Sequence, residues 1–126
     1  VSTDLNAVYL TAADVVRTNG HAKGDFYSVP ESGVGIEKSR SEYPVCAAGA
    51  LSVVIFGDPV PPREGEDGRA EFEAVVARLN ARIEDFHLYS FHGEPPVLRL
   101  TGWNDAAERT ADDVIAALEQ AAKEAA

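Results

Sequence analysis

Pro44-Val45-Cys46-Ala47-Ala48-Gly49-Ala50-Leu51-Ser52-Val53-Val54-Ile55-Phe56 carries no charge and one hydroxyl side chain. An element that is apolar on every side is buried on every side. Residues 44–56 therefore read as a helix at the centre of the molecule. Pro44 suits a first helical turn, where a missing N–H goes unnoticed. The small side chains from Cys46 to Ala50 let neighbouring backbones come close. Val53-Val54-Ile55 is β-branched, so the far end is open to a strand-like finish.

Outward from this rod, Leu5, Val8, Tyr9, Ala12, Ala13 and Val16 fall on one helical face and predict a helix over about 4–18. Ser2, Thr3 or Asp4 can cap it, and Asn19-Gly20 supplies a stop. Residues 20–43 are glycine-rich and irregular, with an extended piece or small hairpin expected at 24–37. The run 57–68 reads as a polar, proline-rich loop tip. Phe72, Val75, Val76, Leu79 and Ile83 predict a helix over about 68–84. Residues 85–102 read as a loop with apolar anchors and a possible short strand at 97–101. Thr110, with Asp113 three positions on, marks the capped start of a last helix whose inner face is Val114, Ile115, Leu118, Ala121 and Ala122. The expected fold is mainly α. It is a compact single domain over 1–126, with about four helices around a central buried helix and a small β-hairpin or extended segment.

At 126 residues such a domain buries about two thirds of its unfolded surface and needs no staple. A net charge of −10 opposes direct binding to phosphate backbones, which relies on Lys and Arg. One cysteine, Cys46, allows no internal disulfide, and no run is long and apolar enough for a bilayer. No signal peptide opens the chain, so the expected compartment is the cytoplasm.

Three pieces together carry a resemblance. They are Ala12-Ala13-Asp14-Val15-Val16-Arg17 leading to Gly20-His21-Ala22-Lys23-Gly24, then Cys46-Ala47-Ala48-Gly49-Ala50-Leu51, then Trp103-Asn104-Asp105 before Arg109-Thr110-Ala111. The chain resembles an uncharacterised family of small proteins encoded by actinobacteria and their phages. That family is marked by a Cys-x-x-Gly-Ala helix start and a Trp-Asn-Asp corner before an Arg-Thr helix start. Relatives often carry Trp-Cys after the first helix; this chain has His21-Ala22, which excludes two-cysteine chemistry. The resemblance implies a fold and no mechanism.

Candidate chemistry centres on Cys46. A thiol at a helix N-terminus can be held as thiolate by the free N–H groups. His21, His87 or His92 could serve as base, and Asn104 or Asp105 could orient it. The competing reading makes Cys46 a small buried hydrophobe. Asn104 and Asp105 then satisfy turn N–H groups, while Trp103 plugs the core and Arg109 pairs with a nearby carboxylate. The histidine spacing fits no standard metal pattern, so no metal and no cofactor are expected. Phe26, Tyr27, Tyr89 and Phe91 are candidate contact anchors, with Trp103 and Arg109 as further binding residues. The favoured function is a non-enzymatic protein-interaction or regulatory/accessory module, with a phage link suggested by the resemblance, whose partner is another protein. The alternatives are a cysteine-dependent hydrolase or transferase and an acidic nucleic-acid mimic; oligomeric state is open.

Overall fold

The structure is a computed structural model, and it describes residues 4–29, 39–83, 86 and 93–125. Among these residues the chain forms five α-helices, not four: α1 (Leu5–Asn19), α2 (Ala47–Phe56), α3 (Arg69–Asn80), α4 (Pro96–Asn104) and α5 (Ala111–Ala125). A single 3-10 turn at Arg40–Glu42 precedes α2.

α1 starts at Asp4, whose carboxylate accepts a hydrogen bond from the Ala7 N–H at 3.3 Å. It buries Val8, Tyr9, Ala12, Ala13 and Val16, the face expected from their spacing. It stops at Gly20, where φ is 103°, a value that side-chain-bearing residues avoid. α5 opens on the reciprocal cap expected of Thr110 and Asp113. The Asp113 N–H donates to Thr110 Oγ1 at 3.2 Å, and the Thr110 N–H donates to Asp113 Oδ2 at 3.0 Å.

α4 is the main correction to the sequence reading. Residues 97–101 lie in a helix, not a strand, and Trp103-Asn104 is its last turn, not a loop corner. Pro96 occupies the first turn, and Val97, Leu100, Trp103 and Asn104 face inward at helical spacing. The closely spaced Val97, Leu98 and Leu100 mimic a strand over so short a window.

α2 packs against α1, α3 and α4 and so lies in the middle, as its composition demands. Ala47 to Ser52 are all buried, and sealing Leu51 alone from water is worth about 2 kcal/mol. The last turn climbs out: Val53, Val54 and Ile55 are half-buried and Phe56 is exposed. α5 packs chiefly on α1 and does not complete a ring around α2.

The start of α2 is later than its composition suggests. Cys46 is the cap, and Pro44 and Val45 precede the helix in extended form. Val45 pairs in parallel with His21 on one side and antiparallel with Tyr27 on the other. Four backbone hydrogen bonds make these pairings: Ala22 N–H to Val45 C=O, Val45 N–H to Gly20 C=O, Ser28 N–H to Pro44 C=O and Cys46 N–H to Phe26 C=O. Tyr27 thus pairs across to residue 45. Residues 30–37 of the hairpin expected at 24–37 lie outside the described residues.

Candidate functional site

Asn104 is fully buried at the end of α4, where three segments meet. Its Oδ1 accepts from the Ala47 N–H at 3.0 Å and from His21 Nε2 at 2.8 Å. Its Nδ2 donates to the Ala22 carbonyl at 3.0 Å and to Asp105 Oδ1 at 2.9 Å. Two donors and two acceptor positions are all used, the full capacity of an amide side chain. The backbone partners fix its orientation, since only an oxygen can face the Ala47 N–H and only an amino group can face the Ala22 carbonyl. His21 Nε2 must therefore carry the proton it shares with Asn104.

Around this amide the first turn of α2 is satisfied group by group. The Cys46 N–H goes to the Phe26 carbonyl at 3.2 Å, and the Ala47 N–H goes to Asn104. The Gly49 N–H meets the Cys46 sulfur at 3.2 Å, and the Ala48 N–H points to the same sulfur. A helix end buried this deeply requires partners for its free N–H groups. Asp105 and Lys23 clamp the outer side. Asp105 Oδ1 accepts from the Gly24 N–H at 3.0 Å, and Lys23 Nζ donates to the Ala106 and Ala107 carbonyls at 2.8 and 3.2 Å.

His21, Cys46, Asn104 and Asp105, the four residues singled out as possible catalytic groups, do converge. Cys46 is 1% exposed. Burial pushes its thiol up to about 11 from an ordinary 9.0, against the opposing pull of the Gly49 and Ala48 N–H groups. At neutral pH it is a protonated thiol whose sulfur accepts hydrogen bonds at a helix cap.

A pH dependence follows from that raised value. Below about pH 9 the thiol is protonated in both folded and unfolded chains. Above it the unfolded chain ionises first and is favoured. Stability is therefore expected to fall between pH 9 and about 11, by roughly 2–3 kcal/mol from this group. Tyr9 adds to the loss at higher pH, because burial raises its phenol too. Urea denaturation of the wild type and Cys46→Ala over this range checks the effect, and the variant should show the flatter profile.

Trp103 is buried at 3% exposure, as the core plug expected of the single indole. Arg109 stacks over its ring at 4.1 Å, and Arg109 Nε donates to the Trp103 carbonyl at 3.0 Å. The carboxylate facing Arg109 is Asp113, at 3.8 Å. Tyr27 is half-buried, stacked on Tyr43 at 6.2 Å, with the Arg40 guanidinium over its ring at 5.8 Å. Tyr89, Phe91, His87 and His92 lie outside the described residues. Among the described residues no three His, Cys, Asp or Glu side chains converge as a metal set. Among the described residues no helix is long and apolar enough to cross a membrane.

A second feature escaped the sequence reading. Three shallow depressions adjoin one another through shared lining residues. Val60 is shared by the depression at Phe56 and the one at Val29. Phe26 is shared by the latter and the one at Leu98. Phe56 (38% exposed), Val60 (39%), Val29 (52%) and Leu98 (54%) thus make a broken apolar strip, interrupted by polar lining residues such as Asp25, Ser28 and Thr101. For Val29 and Val60 the available signal was a lone apolar residue beside proline, which periodicity does not register. The loop 57–68 that carries Val60 is pinned more firmly than a polar tip would be. Pro59 and Pro61 are buried, Ser52 Oγ donates to the Asp58 carbonyl at 2.5 Å, and Arg40 pairs with Asp58.

No curated protein and no solved structure matches the chain. Residues 2–124, nearly its whole length, match a family of unknown function, DUF6197, and the chain belongs to that family.

Proposed function

We infer that residues 1–126 act as one helical domain serving as a non-enzymatic protein-interaction module. In this reading it is a regulatory or accessory protein of the cytoplasm, of actinobacterial or phage origin. The observation that carries the reading is the set of exposed apolar side chains Phe56, Val60, Val29 and Leu98 at adjoining depressions of the surface. Exposed apolar side chains gathered in this way mark contact surfaces more often than scattered ones do. The polar cluster at Asn104 supports it from the other side. The donors and acceptors of Asn104 are spent on two backbone groups, His21 and Asp105.

The experiment is affinity capture from a lysate of the source organism, with native mass analysis, using the wild type and Val60→Asp/Leu98→Asp. A partner held by the wild type and lost by the double variant is the expected result. A strict monomer with no partner overturns the reading. Alkylation of Cys46 tests the hydrolase or transferase alternative: the interaction reading expects labelling only on unfolding, whereas fast labelling below neutral pH favours an activated nucleophile. Inhibition of a DNA-binding enzyme would point instead to nucleic-acid mimicry.

A further inference from the structure

We propose that the occupant of the strip is a basic segment of a partner protein carrying its own apolar stripe; this rests on the interaction reading above. The three depressions of the strip adjoin in succession, the first two at Val60 and the last two at Phe26. That succession suits a linear segment, whose apolar residues would settle on Phe56, Val60, Val29 and Leu98.

The rim sets the sign. Asp25, Glu66, Asp67 and Asp105 line the three depressions, against one cation, Arg63, among the described lining residues. Asp105 is held in place by the Gly24 N–H and Asn104, so its charge stays at the Leu98 end of the strip. Asp25 borders two of the depressions and is exposed. Lys and Arg suit such a surface twice over. Their methylene stems lie on apolar side chains while their heads reach the carboxylates.

The same charges disfavour the other occupants. A second copy would bring the same acidic rim and a net charge of −10 against this one. Nucleic acid and anionic lipid surfaces present phosphates to it, and these are repelled. A basic protein segment is drawn in by the field that turns the others away. Its association should be fast and sensitive to salt.

The test titrates the purified full chain with three synthetic amphipathic peptides. They share one apolar stripe and carry lysine and arginine, neutral polar residues, or glutamate on the other face. Calorimetry gives affinity, and backbone amide shifts give location. The basic peptide is expected to bind at least tenfold more tightly than the neutral one, and the acidic one not at all. Shifts should gather at Phe26–Val29, Val60 and Leu98. Asp25→Asn/Asp67→Asn should weaken the basic peptide about threefold to tenfold, mainly in association rate. Val60→Ser/Leu98→Ser should weaken it more than tenfold. Equal binding of all three peptides at the strip overturns the basic occupant and leaves the docking surface standing. Binding that shifts residues elsewhere, or no binding by any peptide, overturns both.

Discussion

Asn104→Ala is expected to lower the free energy of unfolding by roughly 3 kcal/mol or more, the largest loss of any single truncation at the clasp that Asn104 makes with His21, Ala22, Ala47 and Asp105. The change leaves the Ala47 N–H, the Ala22 carbonyl and His21 Nε2 without their partner. A buried polar group stranded in this way costs about 1–3 kcal/mol, and domains of this size hold only about 5–15 in total. Asn104→Asp sharpens the point. It preserves shape and still offers an oxygen to Ala47, but it turns a second oxygen toward the Ala22 carbonyl and sets a charge beside Asp105. Its loss should be at least as large at neutral pH and should shrink under acid, as the new carboxylate takes up a proton. Asp105→Asn, at an exposed position, should lose far less. Urea titrations at neutral and acidic pH separate these cases. An Asn104→Ala protein within about 0.5 kcal/mol of wild type would show that the clasp holds nothing together.

Gly49→Ala is expected to destabilise by about 2–3 kcal/mol, against the sign that helix propensity alone gives. In an exposed helix, alanine in place of glycine gains about 1 kcal/mol. Here a Cβ would stand 2.2 Å from the Phe26 carbonyl oxygen and 3.1 Å from its carbon. Neither is the end of a flexible side chain, so the backbone of one segment must retreat. That oxygen also accepts the Cys46 N–H, so its retreat unlocks the 24–29 stretch from the helix start. Chemical denaturation gives the size of the effect, and amide shifts at Phe26 and Ser28 give its location. A stabilised Gly49→Ala protein would mean that the two backbones are not in contact.

The parts of this fold that obey a period were legible in the residues. The faces of α1 and α5, the Thr110–Asp113 cap and the buried start of α2 follow from spacing and composition. α4 was not legible, because a helix of nine residues shows its stripe only through Val97, Leu100 and Trp103, and Leu98 between them faces out. At the clasp, the residue types were recognisable as a group, and their tasks were not. Whether Asn104 orients a histidine for chemistry or serves the backbone depends on where Ala22 and Ala47 lie. Those positions are set by pairings at Val45 that join residues far apart in the chain. Burial decides the state of Cys46 in the same way. A helix N-terminus pulls a thiol down, and enclosure pushes it up by more.

The separation along the chain between Asn104 and the groups it serves bears on how the protein is made. During synthesis Ala22 and Ala47 emerge from the ribosome long before Asn104 does. Until then the nascent α2 has an apolar body and a first turn whose Ala47 N–H lacks its partner. Contacts of such long range form late and slowly. The first half of the chain must therefore wait, open to chaperones and to unwanted association, until α4 is translated and closes it.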